Sequence, residues 1–173
     1  MKDGSSHTGD GSSVEQYYCW GRPILAPAAG TVAEAVDGLD DNKPGVMDPA
    51  HPPGNHVILD HGNGEFSLLA HLQKGSVAVK KGDVVKAGDR LGRCGNSGNT
   101  TEPHLHYHLQ NTATFGQSEG LPAQFLNYVA DGKDVARGEP IKGQTIRSRS
   151  ADKPVVQLDR PTEAVVIARG QAA

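Results

Sequence analysis

His104-Leu105-His106-Tyr107-His108-Leu109-Gln110 alternates polar and apolar residues without a fault. As a strand, it places His104, His106 and His108 on one face and turns Leu105, Tyr107 and Leu109 into a core. Residues two apart on a strand stand about 6.6 Å apart, at a rise of roughly 3.3 Å per residue. Two imidazoles at that spacing can converge on one metal ion, or on an ion and its bound water. The apolar row behind them holds the face still. The stretch therefore predicts a metal site on a rigid strand. One surface histidine carries no such message, but three on one face do, and the chain holds others at positions 7, 51, 56, 61 and 71.

The flanking sequence has the same β texture. Ala29–Val36 reads as a strand that begins at a Gly turn, and residues 37–55, rich in Asp, Asn, Pro and Gly, read as a long loop. Loops of that length in compact domains are often functional. His56–His61 and Glu65–Leu72 flank Gly62-Asn63-Gly64, a strong hairpin signal. On the second of these strands, alternation puts Ser67, Leu69 and His71 on one face. Two Gly-Asp turns, at Gly82-Asp83 and Gly88-Asp89, separate short strands, and the polar turn at 94–101 delivers the chain to the histidines. Phe125, Leu126 and Val129 fit a short C-terminal helix. From Gly138 the chain reads as an appended strand or a partly disordered tail.

Composition bounds the function. A chain of 173 residues with 36% hydrophobic content, 22 Gly and 11 Pro suits one small, turn-rich β domain. Net charge is -3 with no basic block, which argues against a nucleic-acid partner. No apolar run approaches the roughly 18 residues that span a bilayer. The polar start, Met1-Lys2-Asp3-Gly4-Ser5-Ser6, is no signal peptide. Cys19 and Cys94 are compatible with one disulfide or with two buried free thiols.

With these residues assembled, the chain resembles the lysostaphin/LytM-type zinc metallopeptidases, which cut peptide cross-links of bacterial cell walls. The resemblance runs from about Pro23 to Leu109. It rests on Ala26-Pro27-Ala28-Ala29-Gly30-Thr31-Val32, Gly54-Asn55-His56-Val57-Ile58-Leu59-Asp60-His61-Gly62, Leu69-Ala70-His71-Leu72, Val84–Gly92, Gly95-Asn96-Ser97-Gly98 and Pro103-His104-Leu105-His106-Tyr107, in that order. It implies a mainly β fold: an antiparallel sandwich or half-barrel with a groove over one sheet. It divides the chain into a polar segment at 1–22, a peptidase domain at 23–130 and an extension at 131–173. It also implies one zinc, a peptidoglycan peptide as substrate, and a periplasmic or extracellular location. Carried over, His106 matches a zinc ligand, and His71 and His104 match the two catalytic histidines.

The family's remaining ligands form a His-x-x-x-Asp motif shortly before Ala26-Pro27. Here His7 is followed by Asp10, three residues on, and position 11 is Gly. His7 and Asp10 stand as candidate metal ligands. A start that lies further upstream is the competing explanation. His56 and Asp60 have the literal spacing, but residues four apart on a strand are about 13 Å apart, too far to share an ion. His51 and His61 read as loop and turn residues, and His108 as solvent-exposed or a groove wall. A catalytically incomplete module that regulates wall hydrolases is the alternative function. A biotinyl/lipoyl carrier is a third reading, suggested by Val77–Leu91, but neither exposed hairpin turn offers a Lys and the histidine face goes unexplained.

Overall fold

A computed structural model describes residues 4–149 and divides the chain into two compact units that meet between Leu121 and Pro122. The first unit is built from strands β1 (Pro23–Leu25), β2 (Gly30–Val36), β3 (Asn55–Asp60), β4 (Phe66–Leu72), β5 (Val84–Val85), β6 (Arg90–Arg93), β7 (His106–Gln110) and β8 (Gly120–Leu121). Six of them form an antiparallel sheet in the order β5-β2-β3-β4-β7-β8, and β1 pairs with β6 as a separate ribbon. The hairpin at Gly62-Asn63-Gly64 closes as expected, with the His61 amide donating to the Glu65 carbonyl and Asn63 at φ 55°.

Strand alternation gives the large sheet two different faces. Val32, Val57, Leu59, Leu69 and Leu72 point to one side and pack with Ile24, Ala26, Val85, Leu91 and Cys94 in the principal core. Leu105 and Tyr107 lean on this core, as the alternating pattern predicts. Ile58, Leu68 and Ala70 point to the opposite side, where Ala33, Phe66 and Ala113 join them. Pairing of Leu68 with His108 and of Ala70 with His106 puts both histidines on this second face. The hydrophobic core thus lies behind the polar row.

The segment before β1 is ordered by local bonds. His7 bridges Tyr17, and a short 3-10 turn spans Val14–Gln16. Residues Cys19–Arg22 bond across to Cys94, whose amide donates to the Arg22 carbonyl at 2.8 Å. Both cysteines are free thiols. Cys19 donates to the Pro103 carbonyl at 2.8 Å. Cys94 is held well above the usual thiol range by its hydrogen bond with Cys19 and by burial.

The second unit contains β9 (Phe125–Ala130), β10 (Lys133–Gly138) and β11 (Ile146–Ser148), a three-stranded antiparallel sheet in the order β10-β9-β11. The expected C-terminal helix is therefore a strand. Phe125 and Tyr128, three residues apart, do meet, with ring centroids 6.3 Å apart. Asn127 between them has φ 53°, which disturbs strand alternation and imitates helical spacing. Tyr128, Ala130 and Ile146 form the core of this sheet. The tail expected beyond Gly138 begins with β11, and residues 150–173 lie outside the described residues.

Candidate metal centre

His71 sits at the end of β4, where simple alternation would send it to the core with Leu69. The backbone prevents this. Asn55 pairs with Leu72 and Val57 with Leu69, so β4 spends three steps where β3 spends two. This is a β-bulge, and such bulges re-aim side chains. His71 itself adopts φ 62°, a left-handed conformation that costs a residue with a Cβ roughly 1–2 kcal/mol. Ala70 and Leu72 keep their opposite faces, and His71 swings toward His104 and His106.

Three neighbours fix the rings. The His71 Nδ1–H donates to the Ser97 carbonyl at 2.9 Å. A carbonyl only accepts, so the hydrogen is on Nδ1 and, in the neutral ring, the lone pair is on Nε2. His104 precedes β7 and is not part of it. Its Nδ1 lies 2.8 Å from the Glu102 carbonyl, which places a hydrogen on that nitrogen. The Thr100 hydroxyl donates to that same carbonyl at 2.8 Å. His106 lies on β7 with Nε2 2.9 Å from Nδ1 of His108.

Together His71, His104 and His106 offer nitrogen atoms that all lie within 4.8 Å of one another. Ring centroids are 4.8 Å apart for His71 and His104, and 5.8 Å for His71 and His106. Burial pushes the His71 pKa down to about 3, with the charges of His104, His106 and His56 acting in the same direction and the Ser97 carbonyl opposing. Burial, followed by His108 and His104, lowers His106 to about 4. Both rings are neutral near pH 7, with lone pairs available to a cation.

His7 and Asp10 do not join this group. The His7 ring packs on Tyr17 with centroids 5.1 Å apart, and Asp10 accepts from the Ser12 amide and hydroxyl. His56 and Asp60 also stay apart from it, as their spacing on β3 requires. His61 ties the hairpin down, bonding the Ala29 carbonyl and the Ser67 hydroxyl. His51 pairs with Asp48 in its loop. His108, expected to be solvent-exposed or part of a groove wall, is half-buried and bonded to His106.

The sequence reading missed Ser97, Thr100 and Glu102 as supports. The available signal was Gly95-Asn96-Ser97-Gly98, with glycine at both ends. A Cβ on Gly98 would stand 2.7 Å from the Gly54 Cα, and a Cβ on Gly54 would stand 2.6 Å from the Ser97 Oγ. Two glycines thus let the 95–98 turn press against the loop before β3, which presents the Ser97 carbonyl to His71.

The sequence profile described as Peptidase family M23 matches residues 11–118, well over half of the chain. Peptidoglycan DD-endopeptidase ShyA of Vibrio cholerae is 48% identical over 65 residues, which cover 37% of this chain and 15% of that protein. An uncharacterized metalloprotease of Haemophilus influenzae is 36% identical over 118 residues, covering 67% of this chain and 21% of that protein. The antimicrobial peptidase lysostaphin from Staphylococcus simulans aligns in structure with a TM-score of 0.45 at 27% identity, covering 58% of this chain and 38% of that one. The chain thus spans about a fifth or less of the length of these two sequence relatives. The matched stretch contains all three converging histidines, and by it the chain belongs to Peptidase family M23, a family of metallopeptidases.

Proposed function

We propose that the chain is a zinc-dependent metalloendopeptidase that hydrolyses peptide cross-links of bacterial peptidoglycan, in the periplasm or outside the cell. The observation that carries this reading is the convergence of His71, His104 and His106. His106 offers zinc one of its favoured ligands, a neutral imidazole nitrogen, with His71 and His104 beside it. The name of the Vibrio relative supports the choice of peptidoglycan peptides. His106 is assigned as a metal ligand, and His71 and His104 as the catalytic pair. Bound there, zinc supplies Lewis acidity, polarising the scissile carbonyl and lowering the pKa of water. The Nδ1 atoms of His71 and His104 are both engaged with carbonyls, so in its neutral form either ring can take a proton on Nε2 from an attacking water. The protonated ring then donates to the departing amine or to the developing oxyanion.

A catalytic zinc takes three protein ligands and keeps a fourth position open. To serve beside His106, His7 would have to leave Tyr17 and Asp10 would have to leave Ser12. That separation favours a second reading: a catalytically incomplete module that binds wall peptides and regulates other hydrolases. Zinc content and lysis of purified peptidoglycan, measured on the same preparations, separate the two. His106→Ala is expected to lose zinc and lysis together. His71→Ala and His104→Ala are expected to keep zinc and lose lysis by roughly 10²–10⁴-fold. His7→Ala and Asp10→Ala lose zinc only if those residues move to the ion. Zinc binding with no lysis supports the module, and a wild-type chain that binds no zinc removes the enzyme proposal.

A further inference from the structure

Gln110 ends β7 and is fully buried, though it is polar. Both ends of its amide are engaged. Nε2 donates to the Thr112 carbonyl at 2.7 Å, and Oε1 accepts from the Ser118 hydroxyl at 3.0 Å. Oε1 also lies 2.6 Å from Nε2 of His108. The Thr112 carbonyl only accepts, so it determines which end of the amide is nitrogen and leaves Oε1 facing His108. His108 must then carry a hydrogen on Nε2. With one hydrogen on that ring, its Nδ1 is a lone pair, and it faces Nε2 of His106 at 2.9 Å. His106 therefore donates from Nε2, and its second nitrogen, Nδ1, is left unprotonated.

We propose that Gln110 and His108 form a positioning relay that sets the tautomer of His106 and makes Nδ1 its metal-binding atom. The relay rests on the zinc reading for its purpose, though not for its geometry. A metal-ligating histidine whose other nitrogen donates to a fixed acceptor is held in one tautomer and one ring orientation, and gains basicity. Here that acceptor is a second imidazole, itself held by an amide at the closed end of the strand. A purely structural Gln110, plugging the end of β7, would leave the His106 tautomer untouched when replaced by a side chain of like volume.

The test uses the full chain, with Gln110→Met, His108→Leu and His108→Asn as variants. Asn offers an amide oxygen near the position of the His108 Nδ1, so it can still accept from His106. Long-range ¹⁵N histidine spectra of the metal-free protein read the His106 tautomer, and chelator competition reads zinc affinity. The wild type is expected to show hydrogen on Nε2 alone. Gln110→Met and His108→Leu are expected to lose that single tautomer and to weaken zinc binding by roughly 10–100-fold. His108→Asn is expected to restore both. A wild-type His106 protonated on Nδ1, or zinc affinity unchanged in folded His108→Leu, overturns the relay. If Gln110→Met does not fold, as judged by circular dichroism, the half-buried His108 pair decides. A wild-type chain that binds no zinc removes the function proposed above, while the metal-free spectra still decide the relay.

Discussion

His71 carries two costs that ordinary packing would avoid: a left-handed backbone and a buried imidazole ringed by other imidazoles. Both are consistent with a side chain held for chemistry, since strained conformations cluster at functional sites. The second cost is measurable. In the unfolded chain His71 and His106 take up a proton near pH 6.5, whereas folded they resist protonation until about pH 3 and about pH 4. Between those limits the unfolded chain binds more protons, so acid favours unfolding. The metal-free protein should hold its full stability above about pH 6.5 and lose about 1.4 kcal/mol per pH unit for each of the two histidines as pH falls toward 4. Urea titrations at pH 7, 6 and 5 would show this, and His71→Gln should reduce the slope. A stability flat from pH 7 to pH 5 would mean that neither ring is buried neutral. His71 was readable in the sequence as a site residue, but its direction was not. Alternation alone placed it with Leu69, and the extra residue that redirects it shows only in the pairing with β3.

Strands and turns divide the work of building the centre. β4 and β7 supply His71 and His106, but the ring orientations come from the polar segments between strands. The 37–54 loop lies on the 95–101 turn through bonds from the Asn42 amide to the Asn96 carbonyl, from Gly45 to Thr101 and from Asp48 to Gly98. Asn55, fully buried at the start of β3, bonds both the amide and carbonyl of Leu39 and also the carbonyl of Leu72. The expected long loop is thus fastened to the turn that anchors His71. Gly54→Ala tests this coupling, because the new Cβ would meet Ser97 and the φ of 59° is unfavourable to alanine. The variant should lose about 1–3 kcal/mol of stability, the cost of overpacking a close contact, and zinc affinity should drop with it. Affinity equal to wild type in a folded Gly54→Ala would separate the turn from the site. β7 was legible from its period-two alternation, and β3 and β4, buried almost throughout, from apolar runs bounded by turn residues. Of the turn's contribution only the glycines of Gly95-Asn96-Ser97-Gly98 gave a sign, because main-chain carbonyls such as those of Ser97 and Glu102 leave no residue-type signature. The second unit misled for a different reason, since Phe125, Leu126 and Val129 fit a helical repeat and so short an apolar run does not distinguish helix from strand.

Each hydrophobic core is drawn from a single unit. The principal core and the smaller one on the opposite face use residues from Cys19 to Ala113, and the third uses Phe125 to Ile146. The family match ends at residue 118, inside the first unit, and the three converging histidines lie within it. Among the described residues no helix is long and apolar enough to cross a membrane. A domain stays folded when its own apolar burial outweighs its chain entropy. For the first unit that burial is supplied by ten fully or nearly buried residues in one cluster, and among the described residues no buried side-chain polar atom is left without a partner. A chain ending at Leu121 should therefore melt cooperatively, within a few degrees of the full chain, and bind zinc with the same affinity. Calorimetry and chelator competition on the two lengths would test this. Loss of the cooperative melt, or of zinc binding, in the shortened chain would show that the first unit does not suffice to hold the three imidazoles in place.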